Sequence, residues 1–181
     1  MQAGTLDPDE FARAFAEHGR TLWVLASAWV GRGEAADLVQ ETARVAWQRR
    51  DQFVPGTGLR PWLAQIARHL GANWRRRLRP EPRAIEDLPG PAAVPRADSI
   101  WPFDADAQGL PDELARALGT LPEVARACLL LHVVAEHSFA EIGAMLDIPV
   151  NTVSSHARRA RLLLRAALEP TSNPVPLPEA P

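Results

Sequence analysis

Two runs of arginine are the side chains best suited to chemistry in this sequence: Arg75-Arg76-Arg77-Leu78-Arg79 and Arg158-Arg159-Ala160-Arg161. Guanidinium clusters of this kind suit phosphate, and bidentate pairing with guanine. All basic residues are Arg, and Lys is absent. The formal net charge of −2 hides an uneven distribution. Residues 1–79 carry 12 Arg against 8 acidic side chains, residues 80–113 carry 2 against 8, and residues 114–181 carry 6 against 6. Two basic clusters separated by an acidic strip suggest two phosphate-binding surfaces. Arginine near helix ends also complements the helix dipole, and charge alone serves either reading equally well.

Other chemistries find little support. His18, His69, His132, His137 and His156 are scattered, without His-x-x-x-His or Glu-x-x-His spacing, and no glycine-rich phosphate loop occurs. The expectation is a protein that is not an enzyme and needs no metal or cofactor. Ser138 beside His137 reads as a helix cap, not as part of a triad. The single cysteine, Cys128, excludes an internal disulfide, and its apolar neighbours Ala127, Leu129, Leu130 and Leu131 mark it as a buried small hydrophobe. The N-terminal residues lack the basic and apolar regions of a signal peptide, and no apolar run approaches the ~18 residues of a membrane span. Residence in the cytoplasm without membrane insertion is expected.

The elements that must position the arginines read as helices throughout. Asp7-Pro8-Asp9-Glu10 combines a capping acid, a proline at the first helical position and a carboxylate three residues on. Phe11, Phe15, Leu22 and Leu25 follow at roughly helical spacing, with a possible break at Gly19, until Gly31-Arg32-Gly33. A second helix from Glu34 carries Leu38, Thr42 and Val45 on one stripe, flanked by Val39, Ala43 and Ala46, and is expected to end near Asp51. Pro55-Gly56-Thr57-Gly58 is turn chemistry. A third helix from about Arg60-Pro61 places Trp62, Ile66, His69/Leu70 and Asn73 along one side. Trp62 and Trp74 are of a type that stacks on bases, although Trp62, on the Ile66 stripe, fits core packing better.

Prolines 80, 82, 89, 91, 95, 102 and 111 prevent a regular helix over the next stretch. We read residues 80–111 as an acidic, proline-rich linker able to span roughly 100 Å at ~3.1 Å per residue. Residues 169–181 read as a disordered tail. In the unit between them, 112–168, Asp112 to Leu118 forms a short helix and Leu121-Pro122-Glu123 opens another, running to about Glu136. Ser138-x-x-Glu141 is a capping box for a helix through Leu146. Asp147-Ile148-Pro149-Val150 then interrupts, and Asn151 or Thr152 is expected to cap a last helix to Leu168. A short capped helix, a tight turn and a longer basic helix follow helix-turn-helix order, in which the second helix enters the major groove. An ordinary helical hairpin with solvated arginines would look the same on this motif alone.

Three stretches in fixed order resemble a known family. Asp37-Leu38-Val39-Gln40-Glu41-Thr42, with Ala46-Trp47 and Phe53, is similar to region 2.2 of the sigma-70 factors. Trp62-Leu63-Ala64-Gln65-Ile66-Ala67-Arg68, leading to Arg75-Arg76-Arg77, resembles regions 2.3 and 2.4. Leu121-Pro122, Ser138 to Gly143, Ile148-Pro149-Val150, Thr152-Val153 and Arg159-Ala160-Arg161 resemble region 4. With no room for region 3 and no region 1.1, the pattern is that of the extracytoplasmic-function group. The resemblance implies an all-α chain of two small helical domains, a region 2 bundle in residues 1–79 and a region 4 helix-turn-helix in 112–168.

It also implies partners: core RNA polymerase through its β′ and β subunits, promoter DNA, and an anti-sigma factor. Asp37, Gln40 and Glu41 would contact polymerase. Phe53, Thr57, Arg60, Arg68, His69, Asn73, Arg75, Arg76 and Arg77 would serve the −10 element, the loop 53–58 holding a base flipped from the non-template strand. Asn151, Thr152, Ser154, Ser155, His156, Arg158 and Arg159 would serve the −35 element. The chain departs from the family pattern at Ser154, where a basic residue is usual, at His156 in place of Arg, at Asp147 in place of the turn glycine, and at His69 and Asn73. The competing reading is a sigma mimic, which binds an anti-sigma factor without reading promoter DNA.

Overall fold

The computed structural model describes residues 7–54, 56–78 and 111–169, apart from the side chains of residues 75–78 and 112. Among the described residues there are seven α-helices and no strand. They are α1 (Pro8–Val30), α2 (Arg32–Gln48), α3 (Leu59–Leu78), α4 (Asp112–Gly119), α5 (Glu123–Val133), α6 (Phe139–Leu146) and α7 (Val150–Leu168), with a 3-10 turn at Arg50–Gln52. The linker expected over residues 80–111 and the tail expected over 169–181 lie outside the described residues except for Pro111 and Glu169.

α1 begins as its local chemistry dictates. Asp7 Oδ1 accepts hydrogen bonds from the Asp9 and Glu10 N–H groups, both at 2.9 Å, and Pro8 occupies the first turn. The helix does not break at Gly19, which is buried together with Phe15, Leu22 and Leu25 on its packed side. Tertiary packing there outweighs the roughly 1 kcal/mol helix penalty of glycine. Gly31, at φ +87°, ends the helix, and α2 starts immediately after it, two residues ahead of Glu34.

α1, α2 and α3 pack together, burying Leu22, Leu25, Leu38 and Leu63 completely. Thr42 lies fully buried in the α2 stripe, its hydroxyl satisfied by donation to the Leu38 carbonyl at 2.7 Å. In the second unit α5, α6 and α7 surround Leu131, Ile142, Leu146 and Val153. Cys128 is buried, and burial pushes its thiol up to about 11, leaving no nucleophile at neutral pH. α5 stops at Val133, short of Glu136, because the chain turns back: the Ala135 and His137 N–H groups donate to the Leu130 and Leu131 carbonyls, and Glu136 takes φ +58°.

The two units are in contact. α1 lies against α5 and α3 against α6. A single cluster of buried residues holds Phe15, Leu25 and Leu63 from the first unit with Leu131, Ile142 and Leu146 from the second.

Candidate nucleic-acid interface

The helix-turn-helix is assembled by local devices. Ser138 Oγ accepts from the Glu141 N–H at 3.3 Å, while Glu141 Oε2 accepts from the Ser138 N–H at 2.9 Å and from its hydroxyl at 2.8 Å. These bonds from Ser138, with help from Arg60, hold the Glu141 carboxyl down at about 2. α6 ends on Asp147, in the left-handed region at φ +55°, and both Asp147 and Ile148 donate their N–H to the Gly143 carbonyl. A Cβ on Gly143 would stand 2.9 Å from the Ile148 carbonyl oxygen, so the turn folds this tightly only over glycine.

α7 opens at Val150, and its cap is Pro149, not Asn151 or Thr152. The Pro149 carbonyl receives the Thr152 and Val153 N–H groups at 2.9 and 3.1 Å, drawing Asn151 into the first turn. The Asn151 carbonyl in turn accepts the hydroxyls of Ser154 (3.3 Å) and Ser155 (2.9 Å). Val153, Ala157 and Ala160 face the core. Asn151, Ser155, Arg158 and Arg159 are exposed, and Thr152, Ser154 and His156 are half-buried. The seven side chains expected at a −35 element therefore share the first two to three turns of one helix, the exposed ones at helical spacing on its outer face.

In the first unit the expected residues divide into three groups. On α2, Asp37 and Gln40 are exposed, whereas Glu41 is half-buried and held by Arg44, whose Nε donates to it at 2.8 Å. The loop before α3 is built on two left-handed glycines, Gly56 at φ +92° and Gly58 at +80°, with the Thr57 hydroxyl donating to the Val54 carbonyl at 2.7 Å. Pro55 lies outside the described residues. The Phe53 ring packs on Trp62 at 5.5 Å, and Trp62 and Trp74 are both half-buried against the core. His69 and Asn73 are exposed on α3. The backbone of Arg75, Arg76 and Arg77 continues that helix.

Arg60 and Arg68, expected on DNA, are engaged elsewhere. Arg60 donates to Glu141 Oε1 at 2.8 Å, and Arg68 donates to the Leu146 carbonyl. Gln65, between them, donates to the Met145 carbonyl at 3.0 Å. A cleft of about 270 Å³ lies alongside, lined by His18, Arg60, Pro61, Glu141 and Met145. Sequence reasoning missed the residues that complete this contact zone: Arg20, Thr21, Arg126 and His137. They pair over separations of about a hundred residues and leave no periodic trace.

Among the described residues no group of His, Cys, Asp or Glu could hold a metal ion, and no helix is long and apolar enough to cross a membrane.

Comparison with known proteins agrees with this arrangement. Residues 14–81 match the family described as "Sigma-70 region 2", and residues 112–164 match "Sigma-70, region 4". The chain is 33% identical over 140 residues to the "ECF RNA polymerase sigma factor SigC" of Mycobacterium tuberculosis, covering 76% of this chain and 72% of the relative. It is 30% identical over 141 residues to SigW of Bacillus subtilis, covering 75% of each. Two solved structures share the fold: CnrH in complex with the cytosolic domain of CnrY (TM-score 0.62, 24% identity, 92% of each chain) and RpoE with the anti-sigma factor NepR from Bartonella quintana (TM-score 0.61, 23% identity, 88% of this chain and 97% of that one). With both regions present in order around the helix-turn-helix, the chain belongs to the extracytoplasmic-function group of the sigma-70 family, the factors that direct RNA polymerase to promoters.

Proposed function

We propose that the chain divides this work between its two units: residues 1–79 hold core polymerase and the opened −10 element, and residues 112–168 read the −35 element, with residues 80–111 as the tether. The observation that carries this reading is the outer face of α7, where Asn151, Ser155, Arg158 and Arg159 project from the first turns of a helix fixed by a capping box and a glycine-dependent turn. Such a face can enter a major groove while its arginines meet phosphate or guanine.

Asp37 and Gln40 would contact the polymerase, with Glu41 in support through its pairing with Arg44. His69, Asn73 and Arg75 to Arg77 would follow the separated strand, and the Phe53–Thr57 loop would take a flipped base. The place of action would be the cytoplasm. A protein regulator of the anti-sigma kind fits as a further partner, since RpoE, one of the two structures of similar fold, is bound to one.

Asp37→Lys with Glu41→Lys should abolish competition for core polymerase and run-off transcription while leaving helicity unchanged. A double variant that competes for core as well as the unmodified protein would place the polymerase contact elsewhere.

A further inference from the structure

α2 divides cleanly into two sides. Ala35, Leu38, Val39, Thr42 and Ala46 are buried, and Asp37, Gln40, Glu41 and Arg44 share the opposite face at spacings of three and four residues. Between Asp37 and Gln48, Arg44 is the single basic residue. Asp37 and Gln40 are exposed, whereas the side chains of Arg44 and Glu41 keep only 29% and 31% of their surface in solvent. These two are joined as a complete fork: Arg44 Nε donates to Glu41 Oε2 at 2.8 Å, and Arg44 Nη2 donates to Glu41 Oε1.

A carboxylate accepts one such fork across its two oxygens, the arrangement that makes arginine its strongest side-chain partner. With Arg44 already there, a cation arriving from outside meets a neutral pair in place of a free carboxylate. An incoming arginine must displace Arg44 or settle for a single bond to Glu41. The exchange is open to it, because a pair at three-residue spacing on a partly exposed helix face is held weakly. Asp37, one turn before Glu41, has the same sign as Glu41, so without Arg44 this face would be acidic throughout. Arg44 therefore sets how much negative charge α2 offers to a basic surface.

We propose that Arg44 is an internal competitor for Glu41: its fork fills the place that a basic side chain of core polymerase would take, so the chain holds core less tightly than its acidic face allows. The inference rests on the polymerase face proposed above and gives that face a positioning residue of its own. Charge at the edge of an interface acts mainly on the rate of association and its salt dependence, so these are the quantities Arg44 controls.

The test is Arg44→Gln and Arg44→Lys in the full chain, with binding to core polymerase read by anisotropy of the labelled protein at low and high salt. Gln removes the charge while keeping a helix propensity close to that of Arg. Arg44→Gln should tighten binding by about three- to fivefold at low salt, through faster association. The gain should vanish at high salt, where exposed charges are screened. Lys reaches Glu41 as a point charge without the fork, and Arg44→Lys should fall between the other two proteins. Adding Glu41→Gln to Arg44→Gln should remove the gain, because the two positions act as one. An affinity that Arg44→Gln leaves unchanged or weakens overturns the inference, and the proposed polymerase face stands as long as Asp37→Lys with Glu41→Lys abolishes binding. If that double variant binds core as before, the face falls and the competitor role with it.

Discussion

At the scale of single residues, Ser154 is the position where chemistry can be added to the recognition helix. It sits one turn into α7, with its hydroxyl hydrogen turned back onto the Asn151 carbonyl at 3.3 Å, so it carries no charge and no free donor toward a groove. Ser154→Arg should tighten binding to a −35 duplex by about 1–3 kcal/mol if the guanidinium meets guanine, and by less if it reaches only phosphate. Anisotropy on matched and scrambled duplexes distinguishes the two, and equal affinity for both duplexes in both proteins would remove the helix from sequence reading. The titrating side chains make a second expectation. Burial pulls His18 and His137 below the ordinary histidine value, Arg60 adding to the effect on both and Glu141 opposing it on His137. The folded chain therefore refuses protons that the unfolded chain accepts below about 6.5. Stability should fall as pH drops through that value, until the lowered folded-state values are passed. Glu141, at about 2 when folded against 4.5 when free, adds a loss beginning near 4.5 and continuing toward about 2. Melting temperatures between about pH 7.5 and 5.5 isolate the histidine part, and His137→Gln should flatten the slope.

At the scale of elements, the α6–α7 turn concentrates two opposite substitutions. Gly143→Ala places a methyl 2.9 Å from the Ile148 carbonyl oxygen, a backbone atom that cannot swing aside, and should cost about 1–3 kcal/mol in thermal or urea unfolding. Asp147→Gly relieves the left-handed conformation at φ +55° and should stabilise by about 0.5–1 kcal/mol, less if the unfolded chain gains more freedom. Much of this element level was legible in the sequence, because caps are local. Asp7 with Pro8 and Ser138 with Glu141 act within three residues, and each was readable from spacing alone. Boundaries set from further away were not. Gly19 is held helical by the core around it, and nothing in Glu136 announces a left-handed residue. α7 starts from Pro149 because that residue is extended (φ −59°, ψ 144°) while its carbonyl already takes the Thr152 and Val153 amides, so Asn151 lies inside the first turn.

At the scale of the whole molecule, proline spacing and arginine clusters suggest two units, but nothing in them announces the contact between α1 and α5 or between α3 and α6. Its bonds from side chains to helix-end carbonyls cross 78 to 114 residues, and any arginine could in principle serve any helix end. The same scale governs how the chain meets DNA. A formal charge of −2 gives no long-range attraction, so affinity has to come from counterions released at local clusters. The logarithmic dependence of affinity on salt then counts the phosphates actually neutralised, at about 0.7 per contact on a single strand and about 0.9 on a duplex. If Arg75, Arg76 and Arg77 are phosphate contacts, replacing all three by Gln should weaken binding to every sequence alike. It should also lower the salt slope by about two units on single-stranded DNA, or nearly three if the region lies on duplex. Titrations with polymerase-bound protein at several salt concentrations supply both numbers. A slope that stays unchanged, with the affinity loss confined to particular bases, would mean that these arginines read sequence and that the phosphates are held elsewhere.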